Sequence, residues 1–538
     1  MTEQEYKKEI DYIFNRFPSF QKVGAGAYKP GIEGMALLAQ ACGNPHLQFR
    51  SIHVAGTNGK GSTSHMIAAA LSRIPRCAVK WCGKDDKTPA EECGNESDYI
   101  TSRKLKVGLY TSPHLVDFRE RIKVSSDEGF QMITEEFVYN FIMLYKRRFE
   151  EIGASFFEIT TAMAFAWFAH SGVDVAVVEC GLGGRLDSTN ILTPQLSVIT
   201  NIGLDHCDFL GSEPESIALE KAGIIKPSVP VVIGEESGVG NVFVKKAQEC
   251  GAPLVWAEKY QSRLLLRYGL DLQSLDLQGA CQDKNIKSVT AAVELWIGTQ
   301  CNGLTSDERL SADNGPIVNE GILCGNVLSA DDLLSADNDM HQAKGYSSES
   351  EEAGGFSAVG KEKEILEDVV AAIHGAAKLT GLRGRWEVLG KKPFIVCDTG
   401  HNSHGFKLLG KQIMERFVQG RFKRLVMFFG VVADKDLDSI SEYLPKSGVA
   451  GGCGEGVVQY RFVNARGTRS LPADKLKERM AAMGFEGSAV HDGNIGMNMQ
   501  HYMDEVSARA DLSETDMVFI GGSTFVVAEA IEFFDGRR

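Results

Sequence analysis

The sequence predicts an α/β protein of two domains, each built around a largely parallel β-sheet. Short, nearly continuous apolar runs alternate with helical stretches along most of the 538 residues. Such runs are typical of strands buried on both faces. A chain of this length also exceeds what one hydrophobic core accommodates. A polar, acidic segment at 301–362 divides the alternation, which predicts an N-terminal domain over 1–300 and a C-terminal domain over 363–538.

Candidate strands occur in both parts, separated by helical stretches such as 62–73 and 158–170. The candidate strands cover residues 48–55, 106–111, 174–180, 196–202 and 229–233 in the first part, and 393–397, 424–429, 458–463 and 516–520 in the second. This βα alternation predicts a doubly wound N-terminal domain and a second, Rossmann-like α/β domain at the C-terminal end.

The acidic segment has the composition of an insertion. Residues 301–360 contain eleven Asp and Glu against two Lys and Arg, and LSADN occurs twice, at 310–314 and 334–338. Because such a segment has little apolar surface to bury, we predict a low-complexity insertion or linker at 301–362. Residues 82–104 are predicted to be a smaller insertion of the same kind.

Bulk composition narrows the functional class. The formal charge of −14 argues against a nucleic-acid partner. No apolar run reaches about 18 residues, so no membrane span is expected. The N-terminal residues MTEQEYKKEIDYIF lack the apolar centre of a signal peptide, and the 12 cysteines form no C-x-x-C pair. We therefore expect a cytoplasmic protein with reduced thiols.

The stretch HVAGTNGKGST, residues 53–63, follows a predicted strand and opens a predicted helix. Gly56, Gly59 and Gly61 let backbone N–H groups approach oxygen atoms closely, and Lys60 adds a positive charge at the helix N-terminus. The stretch departs from the general P-loop pattern because Gly61 follows the lysine directly. It predicts a polyphosphate site, and the alternative is a glycine-rich turn that binds no ligand.

Hydroxyl groups complete this stretch. Ser62 or Thr63 can offer an oxygen to Mg²⁺. A second glycine cluster, GLGGRLDSTN at 181–190, does not match the dinucleotide fingerprint because its third glycine comes too early. We therefore exclude a nicotinamide cofactor.

Polar side chains follow other predicted strands of the same sheet. Ser112, Glu179 and His206 stand at or just after the carboxyl ends of three of them. Ligands of open parallel sheets bind at that edge, and Mg²⁺ prefers oxygen ligands. Ser112 and Glu179 fit such a site well, whereas histidine is a less usual ligand. Glu158 is instead predicted to form a capping box with Ser155.

The chain resembles the dihydrofolate synthase and folylpolyglutamate synthase branch of the Mur ligase superfamily through a series of short stretches. They are HVAGTNGKGST (53–63), YTSPHLVDFRERI (110–122), FEITTAMAF (157–165), VVECGLGGRLDSTN (177–190), NIGLDH (201–206), FLG (209–211), IALEKAGIIK (217–226), GACQDKN (279–285), LRGRWE (382–387), DTGHNSHG (398–405), ADKD (433–436) and GGSTFV (521–526). The resemblance covers both domains, skips the two insertions and implies a Mur ligase-like, ATP-binding N-terminal domain followed by a glutamate ligase domain.

The resemblance also implies an activity. Such enzymes use ATP and Mg²⁺, with two ions expected, to add L-glutamate to a carboxylate of dihydropteroate or of a reduced folate. An acyl phosphate forms first, and the products are the amide, ADP and phosphate. We expect small-molecule substrates only and a monomer. Which of the two glutamate additions this chain performs, or whether it performs both, stays open.

The family's functional residues can be carried over by motif. The resemblance assigns catalytic roles to Lys60, Lys221 and His401, with Lys221 matching a lysine that the superfamily carries as a carbamate. The implied nucleotide site comprises Gly56, Thr57, Asn58, Gly59, Lys60, Gly61, Ser62, Thr63, Asn285, Arg385 and Asp398. The implied metal ligands are Ser62, Ser112, Glu179 and His206. The implied substrate site comprises Pro113, His114, Arg121, Thr160 and Ser523.

Two positions depart from the family pattern. Gly400 replaces the usual alanine of DTGHN, and His404 stands near where proline or aspartate is common. Both are interpreted as changes of packing. Two other functions stay open: a Mur-type cell-wall ligase, which shares the mechanism, and a P-loop NTPase without ligase activity.

Overall fold

The computed structural model describes residues 1–18, 31–79, 103–203, 211, 213–300, 352–446, 448–449, 456–467, 469–489, 493–509 and 511–537. His206 and most of the two predicted insertions lie outside these residues. None of the helices within them has the length and apolar character needed to span a bilayer.

The N-terminal sheet has the strand order β4-β3-β2-β5-β1-β6-β7-β8. Its strands are β1 (Arg50–Ala55), β2 (Val107–Tyr110), β3 (Ile122–Ser126), β4 (Gly129–Met132), β5 (Val175–Glu179), β6 (Leu196–Ile199), β7 (Val231–Ile233) and β8 (Leu254–Trp256). β1 lies between β5 and β6 and is parallel to both. The predicted strands of this part are confirmed, with ends one to three residues shorter.

Helices cover the sheet. They are α1 (Glu3–Arg16), α2 (Glu33–Ala41), α3 (Lys60–Leu71), α4 (Glu135–Ile152), α5 (Phe156–His170), α6 (Pro214–Ala222), α7 (Gly240–Cys250), α8 (Arg263–Leu266), α9 (Gln282–Gln300), α10 (Glu352–His374) and α11 (Ala376–Thr380). Ser155 and Glu158 form the predicted capping box at the start of α5. Residues 56–59, here called the glycine loop, connect β1 to α3. Helix α3 is buried from Ser62 to Leu71.

The C-terminal sheet has the order β12-β13-β11-β15-β10-β9, with β14 paired to β13. Its strands are β9 (Glu387–Lys391), β10 (Phe394–Asp398), β11 (Arg424–Phe429), β12 (Gly448–Val449), β13 (Val457–Phe462), β14 (Gly487–Ala489) and β15 (Asp516–Gly521). Its helices are α12 (Ser403–Gln419), α13 (Leu437–Ser441), α14 (Ala473–Ala482), α15 (Ile495–Ala508), α16 (Leu512–Thr515) and α17 (Thr524–Asp535). The predicted α/β class is confirmed in both domains.

Several strands escaped prediction. The hairpin β3–β4 extends the first sheet in antiparallel fashion, and β9 does the same beside β10. These strands are short and partly exposed, so they lack the continuous apolar run that marks a buried parallel strand.

The packing moves the predicted domain boundary. Helix α10 begins at Glu352, inside the predicted linker 301–362. Ile365, Val369 and Ile373 of α10 pack into the core formed by β1, β2 and α3. In packing terms the C-terminal domain therefore starts after Gly381, rather than at 363. The sequence pattern could not show this because a helix that follows a linker looks the same whichever sheet it covers.

The residues on either side of the smaller predicted insertion are held together by hydrogen bonds. Asp174 accepts hydrogen bonds from Arg76 Nε at 3.0 Å and from Arg103 Nη2 at 3.0 Å. Pro75 and Lys104 form an antiparallel bridge beside these contacts. The two ends of the insertion therefore lie next to each other near the start of β5, so an insertion at this place does not alter the core.

Helix α9 is anchored by a buried carboxylate. Glu294 is 8% exposed and accepts hydrogen bonds from Ser262 Oγ at 2.6 Å, Leu264 N at 3.0 Å and Arg263 N at 3.2 Å. Tyr260 also donates to it. This anchor fixes the helix whose first turn carries Asn285.

We predict that Glu294→Ala lowers the free energy of unfolding by roughly 2–4 kcal/mol, because it leaves buried N–H groups without an acceptor. Urea unfolding followed by circular dichroism measures this change. The control is Glu249→Ala on α7, where an exposed carboxylate pairs with Lys246 and a change within about 0.5 kcal/mol is expected. Equal effects of the two substitutions would contradict the anchor.

Candidate active site

The glycine loop between β1 and α3 lies at the middle of the sheet edge. Gly56 and Gly59 have φ angles of +149° and +81°, in the region that favours glycine. A Cβ atom at Gly56 would overlap Thr200 Oγ1, and one at Gly59 would overlap Asn285 Oδ1. The loop therefore depends on glycine for both its backbone shape and its close packing.

Hydrogen bonds from Thr200 and Asn201, directly after β6, fix this loop. Thr57 N donates to Asn201 O at 3.0 Å, and Asn58 N donates to Asn201 Oδ1 at 2.9 Å. Thr200 Oγ1 donates to Asn58 O at 2.6 Å. The loop is thus held in place by the strand next to its own.

Two lysines converge on the loop. Lys60 Nζ donates to Gly56 O and Thr57 O, both at 3.1 Å. Lys221 is 3% exposed, and its Nζ donates to Gly56 O at 2.9 Å. The sequence had placed only Lys60 at the loop by position, and the structure brings Lys221 to the same carbonyl. Two ammonium groups beside one glycine loop favour an anionic ligand.

Glu179 ends β5 next to the loop. It is 3% exposed, and its Oε2 accepts a hydrogen bond from Ser112 N at 3.1 Å. Burial raises the pKa of Glu179, while the nearby charges of Lys60, Arg385 and Arg121 oppose that rise. Ser112 and Glu179 are therefore adjacent, as predicted.

The first turn of α3 adds two hydroxyls. Ser62 Oγ accepts a hydrogen bond from Gln282 Nε2 at 3.4 Å. Thr63 Oγ1 is buried and has no hydrogen-bond partner in the part of the chain that the structure describes. Among the residues that the structure describes, no three His, Cys, Asp or Glu side chains form a cluster that could hold a metal ion.

The donor set fits a magnesium–phosphate group. A glycine loop with no room for a Cβ gives ligand oxygens close access to the backbone, and buried Glu179 supplies a carboxylate oxygen beside two lysines. Mg²⁺ takes few protein ligands and completes its shell with phosphate oxygens and water. Ser62, Ser112 and Glu179 are the described residues that could hold the ion.

Asn285 and Arg385 reach the same place from α9 and from the start of the C-terminal domain. Asn285 Nδ2 donates to Gln282 Oε1 at 2.9 Å, beside Gly59. Arg385 lies within reach of Gly61, because a Cβ atom at Gly61 would be 3.9 Å from Arg385 Nη2 and 3.8 Å from Glu179 Oε2. The structure thus brings both predicted nucleotide contacts to the glycine loop.

The turn after β10 closes the other side. Asp398 accepts hydrogen bonds from Trp386 N at 2.8 Å and Gly400 N at 2.7 Å. Burial raises the pKa of Asp398, and Arg385 opposes this. The His401 ring is held through Nδ1 at 2.9 Å from Thr399 O. Both predicted residues therefore face the N-terminal domain from one tight turn.

One cavity of about 710 Å³ joins these groups. It is lined by Lys60, Ser112, Glu179, Asn285, Arg385, Asp398, His401 and Ser523, among others. Ser523 also caps α17, since its Oγ accepts a hydrogen bond from Phe525 N at 3.3 Å. A volume of this size lies within the usual range for a small-molecule site.

The predicted substrate residues divide into two groups. Pro113 and Arg121 line the cavity. Arg121 is 3% exposed, and its Nε donates to His114 Nδ1 at 2.7 Å, so His114 lies behind it. Thr160 is fully buried against Tyr110, with 3.0 Å between the hydroxyl oxygens, and does not line the cavity. Thr160 Oγ1 donates to Phe157 O at 3.1 Å, and Phe157 lines the cavity, so Thr160 supports the cavity wall and does not contact the cavity itself.

The sequence analysis missed two groups of cavity residues. Asp187 accepts hydrogen bonds from Gly181 N and Leu182 N, each at 2.9 Å, and so shapes the GLGGRLDSTN loop beside the cavity. On the far side, Glu235 accepts hydrogen bonds from Lys284 Nζ at 2.6 Å and Asn201 Nδ2 at 3.1 Å. Asp187 and Asn201 stood inside quoted motifs, whereas Glu235 follows β7 without a local signal.

Comparison with known proteins gives the class of protein that the sequence motifs resemble. The family model described as Mur ligase middle domain matches residues 130–271. A dihydrofolate synthase/folylpolyglutamate synthase of Haemophilus influenzae is 28% identical over 482 residues, covering 89% of this chain and 87% of that protein. The solved structure of Escherichia coli FolC in complex with DHPP and ADP has a TM-score of 0.65 at 23% identity, covering 99% of this chain and 98% of that one.

A second solved structure carries a metal. It is a bifunctional folylpolyglutamate synthase/dihydrofolate synthase from Yersinia pestis complexed with AMPPNP and Mn ion, with a TM-score of 0.61 at 22% identity, covering 99% of each chain. These structural likenesses show the fold. Residues 130–271 thus match a domain of the Mur ligases. Over most of its length the chain is similar to dihydrofolate synthases/folylpolyglutamate synthases.

We predict that Gly56→Ala raises the Kd for a magnesium–ATP analogue roughly 10- to 100-fold, because the added Cβ meets Thr200 and strains a backbone at φ +149°. Isothermal titration calorimetry measures the Kd. The control is Gly172→Ala, where φ is +62° and nothing lies within 4 Å of the added Cβ; its Kd should match wild type. Unchanged affinity in Gly56→Ala would show that the loop does not bind the nucleotide.

Proposed function

We propose that this chain is an ATP-dependent ligase that joins L-glutamate to a carboxylate of dihydropteroate, of a reduced folate or of both. The observation that carries the proposal is the single cavity in which the glycine loop, Glu179 and the Asp398–His401 turn face one another. That arrangement suits phosphoryl transfer to a substrate held between two domains.

In the proposed reaction, the substrate carboxylate takes the γ-phosphoryl group of ATP and forms an acyl phosphate, releasing ADP. The amine of glutamate attacks the acyl carbon, an amide bond forms and phosphate leaves. Lys60 and the N-terminus of α3 balance the phosphate charge, and Asp398 and His401 approach the nucleotide from the C-terminal domain. Closure of both domains around the cavity keeps water from the acyl phosphate.

We propose that Ser62, Ser112, Glu179 and His206 hold Mg²⁺, with two ions in the working site. His206 lies outside the described residues. Bound Mg²⁺ neutralises negative charge that builds up between the phosphate groups and the substrate carboxylate. Glu179 is suited to this role because the charge of Lys60 favours its anionic form, and burial leaves little water to compete for the ion.

Lys221 is proposed to carry a carbamate. The modification would replace a buried cation with an anion near the metal ligands while leaving one N–H on Nζ, which could keep the hydrogen bond to Gly56 O. The alternative role is the one its ammonium has in this structure, which is to hold the glycine loop. Carbon-13 NMR of enzyme equilibrated with labelled bicarbonate distinguishes the two states.

The two substrates are proposed to occupy opposite ends of the cavity. Pro113 and Arg121 supply an apolar and a cationic surface near Phe156, whose ring lies 5.4 Å from the Arg121 guanidinium carbon. That pairing suits an aromatic ring system bearing a carboxylate. Ser523, at the N-terminus of α17, suits the carboxylates of glutamate. We further propose a cytoplasmic monomer, which sedimentation of the purified protein would test.

The products decide the function. We predict that the purified protein, given Mg-ATP and L-glutamate, adds one glutamate to 7,8-dihydropteroate and further glutamates to a reduced folate, as measured by mass spectrometry. Lys60→Ala is the matched inactive control, because it removes a positive charge from the glycine loop together with the hydrogen bonds to Gly56 O and Thr57 O. Extension of the reduced folate alone would make the chain a polyglutamate synthase.

Other outcomes would overturn the proposal. ATP hydrolysis without a glutamate-bearing product from either substrate would indicate an NTPase. Glutamate transfer only to a UDP-linked muramyl substrate would indicate a cell-wall ligase. Full activity of Lys60→Ala would remove the glycine loop from the reaction.

We predict that Glu179→Gln raises the Mg²⁺ concentration for half-maximal turnover by roughly tenfold or more, because an amide oxygen binds the ion less well than a carboxylate. Steady-state kinetics over a Mg²⁺ series measures this. Glu236→Gln, at an exposed carboxylate paired with Lys259, should leave the Mg²⁺ dependence unchanged. The same titration on His206→Ala tests the remaining ligand, and a Mg²⁺ dependence identical to wild type would exclude the residue concerned.

A further inference from the structure

The side chain of Asn58 hydrogen-bonds the glycine loop directly to the C-terminal domain. Asn58 Oδ1 accepts a hydrogen bond from Asn402 Nδ2 at 3.0 Å. Asn58 Nδ2 lies 2.8 Å from His404 Nδ1. All three residues line the cavity. Because the backbone of Asn58 is itself bonded to Asn201 and Thr200, these contacts join a fixed loop to the first turn of α12.

The direction of each hydrogen bond follows from the helix cap. Asn402 is the N-cap of α12, and its Oδ1 accepts a hydrogen bond from Gly405 N at 2.8 Å. Its Nδ2 must therefore be the group that donates to Asn58. That donation fixes the Asn58 amide with Oδ1 toward Asn402 and Nδ2 toward His404. His404 Nδ1 must then be the acceptor.

An accepting Nδ1 requires a neutral imidazole with its proton on Nε2. In the imidazolium both ring nitrogens donate, so Nδ1–H would face the NH₂ group of Asn58. The surroundings favour the neutral ring, since burial lowers the pKa of His404. Glu235 opposes this shift, and Lys284 and Lys407 add to it.

We propose that His404 is a positioning residue whose neutral Nδ1, through Asn58, holds the glycine loop against the C-terminal domain and so sets nucleotide affinity according to pH. The sequence analysis interpreted His404 as a change of packing, but the geometry gives it a role in joining the domains. The proposal rests on the nucleotide site of the proposed function and does not depend on which substrate receives glutamate.

The position of the bridge explains its effect on the nucleotide. Asn402 and His404 follow the Asp398–His401 turn directly in sequence, and α12 carries both. Fixing their distance from Asn58 also fixes the distance between that turn and the glycine loop. The bridge forms with an unprotonated ring, so it is complete above the ordinary histidine pKa of about 6.5 and is lost as pH falls below the lowered pKa.

The test compares wild type with His404→Asn and His404→Ala. The Oδ1 of asparagine occupies the same place relative to Cγ as Nδ1 of histidine, so His404→Asn keeps the acceptor and removes the titration. His404→Ala removes both. His501→Asn is the matched control, because His501 is exposed on α15. The Kd for magnesium–AMPPNP is measured by calorimetry between about pH 5 and pH 8, without any folate or glutamate.

The expected result is a wild-type Kd that rises more steeply below about pH 6.5 than that of His404→Asn. Titration of the ligand phosphates is common to all variants and cancels in this comparison. At pH 8, His404→Ala should bind about 2- to 12-fold more weakly than wild type, as expected for one neutral hydrogen bond. His501→Asn should follow wild type throughout.

Two results would overturn the proposal. One is parallel pH profiles of wild type and His404→Asn. The other is wild-type affinity of His404→Ala at pH 8. Because binding is measured without an acceptor substrate, a failure of the folate assignment leaves both readings intact, while a failure to bind AMPPNP at any pH would refute the nucleotide site itself.

Discussion

The site depends on concentrating positive charge around a glycine loop that is closed to side chains. Lys60 and Lys221 share the Gly56 carbonyl, and Arg385 and Glu179 lie beside Gly61. Burial makes these charges interact more strongly than they would in water, and the cations beside the loop favour an anionic ligand. The phosphate groups of the proposed nucleotide have the charge that such a site favours. A bound nucleotide therefore also offsets the repulsion among the cations of the site.

The connection between the two domains, which follows α11, is held by hydrogen bonds to its backbone carbonyls. Lys123, on β3, is 4% exposed, and its Nζ donates to Thr380 O at 2.7 Å and Gly381 O at 3.1 Å. His65, on the helix that the glycine loop opens, lies 2.7 Å from Thr380 Oγ1. Burial lowers the pKa of Lys123 to about 8. The end of α11 is thus held from both the sheet and α3.

Local patterns predicted much of this architecture, but not the contacts between distant segments. The strands that end at Ala55 and Glu179 were predictable because continuous apolar runs mark buried parallel strands. The place of Glu235 beside Lys284 was not, because a carboxylate after a short strand carries no local signal. His404 was read as packing for the same reason: its partner, Asn58, is 346 positions away in sequence.

The two fixed ends of the crossing explain why Arg385 can act in the nucleotide site although it belongs to the second domain. Arg383 pairs with Glu387 at 2.6 Å and with Asp535 at 3.0 Å. Gly384, at φ +70°, packs against Thr399 and leaves no room for a side chain. Only Gly381 and Leu382 separate these contacts from the end of α11. Because this connection is short and its first end is held by α3 and β3, it places Arg385 beside the glycine loop that opens α3.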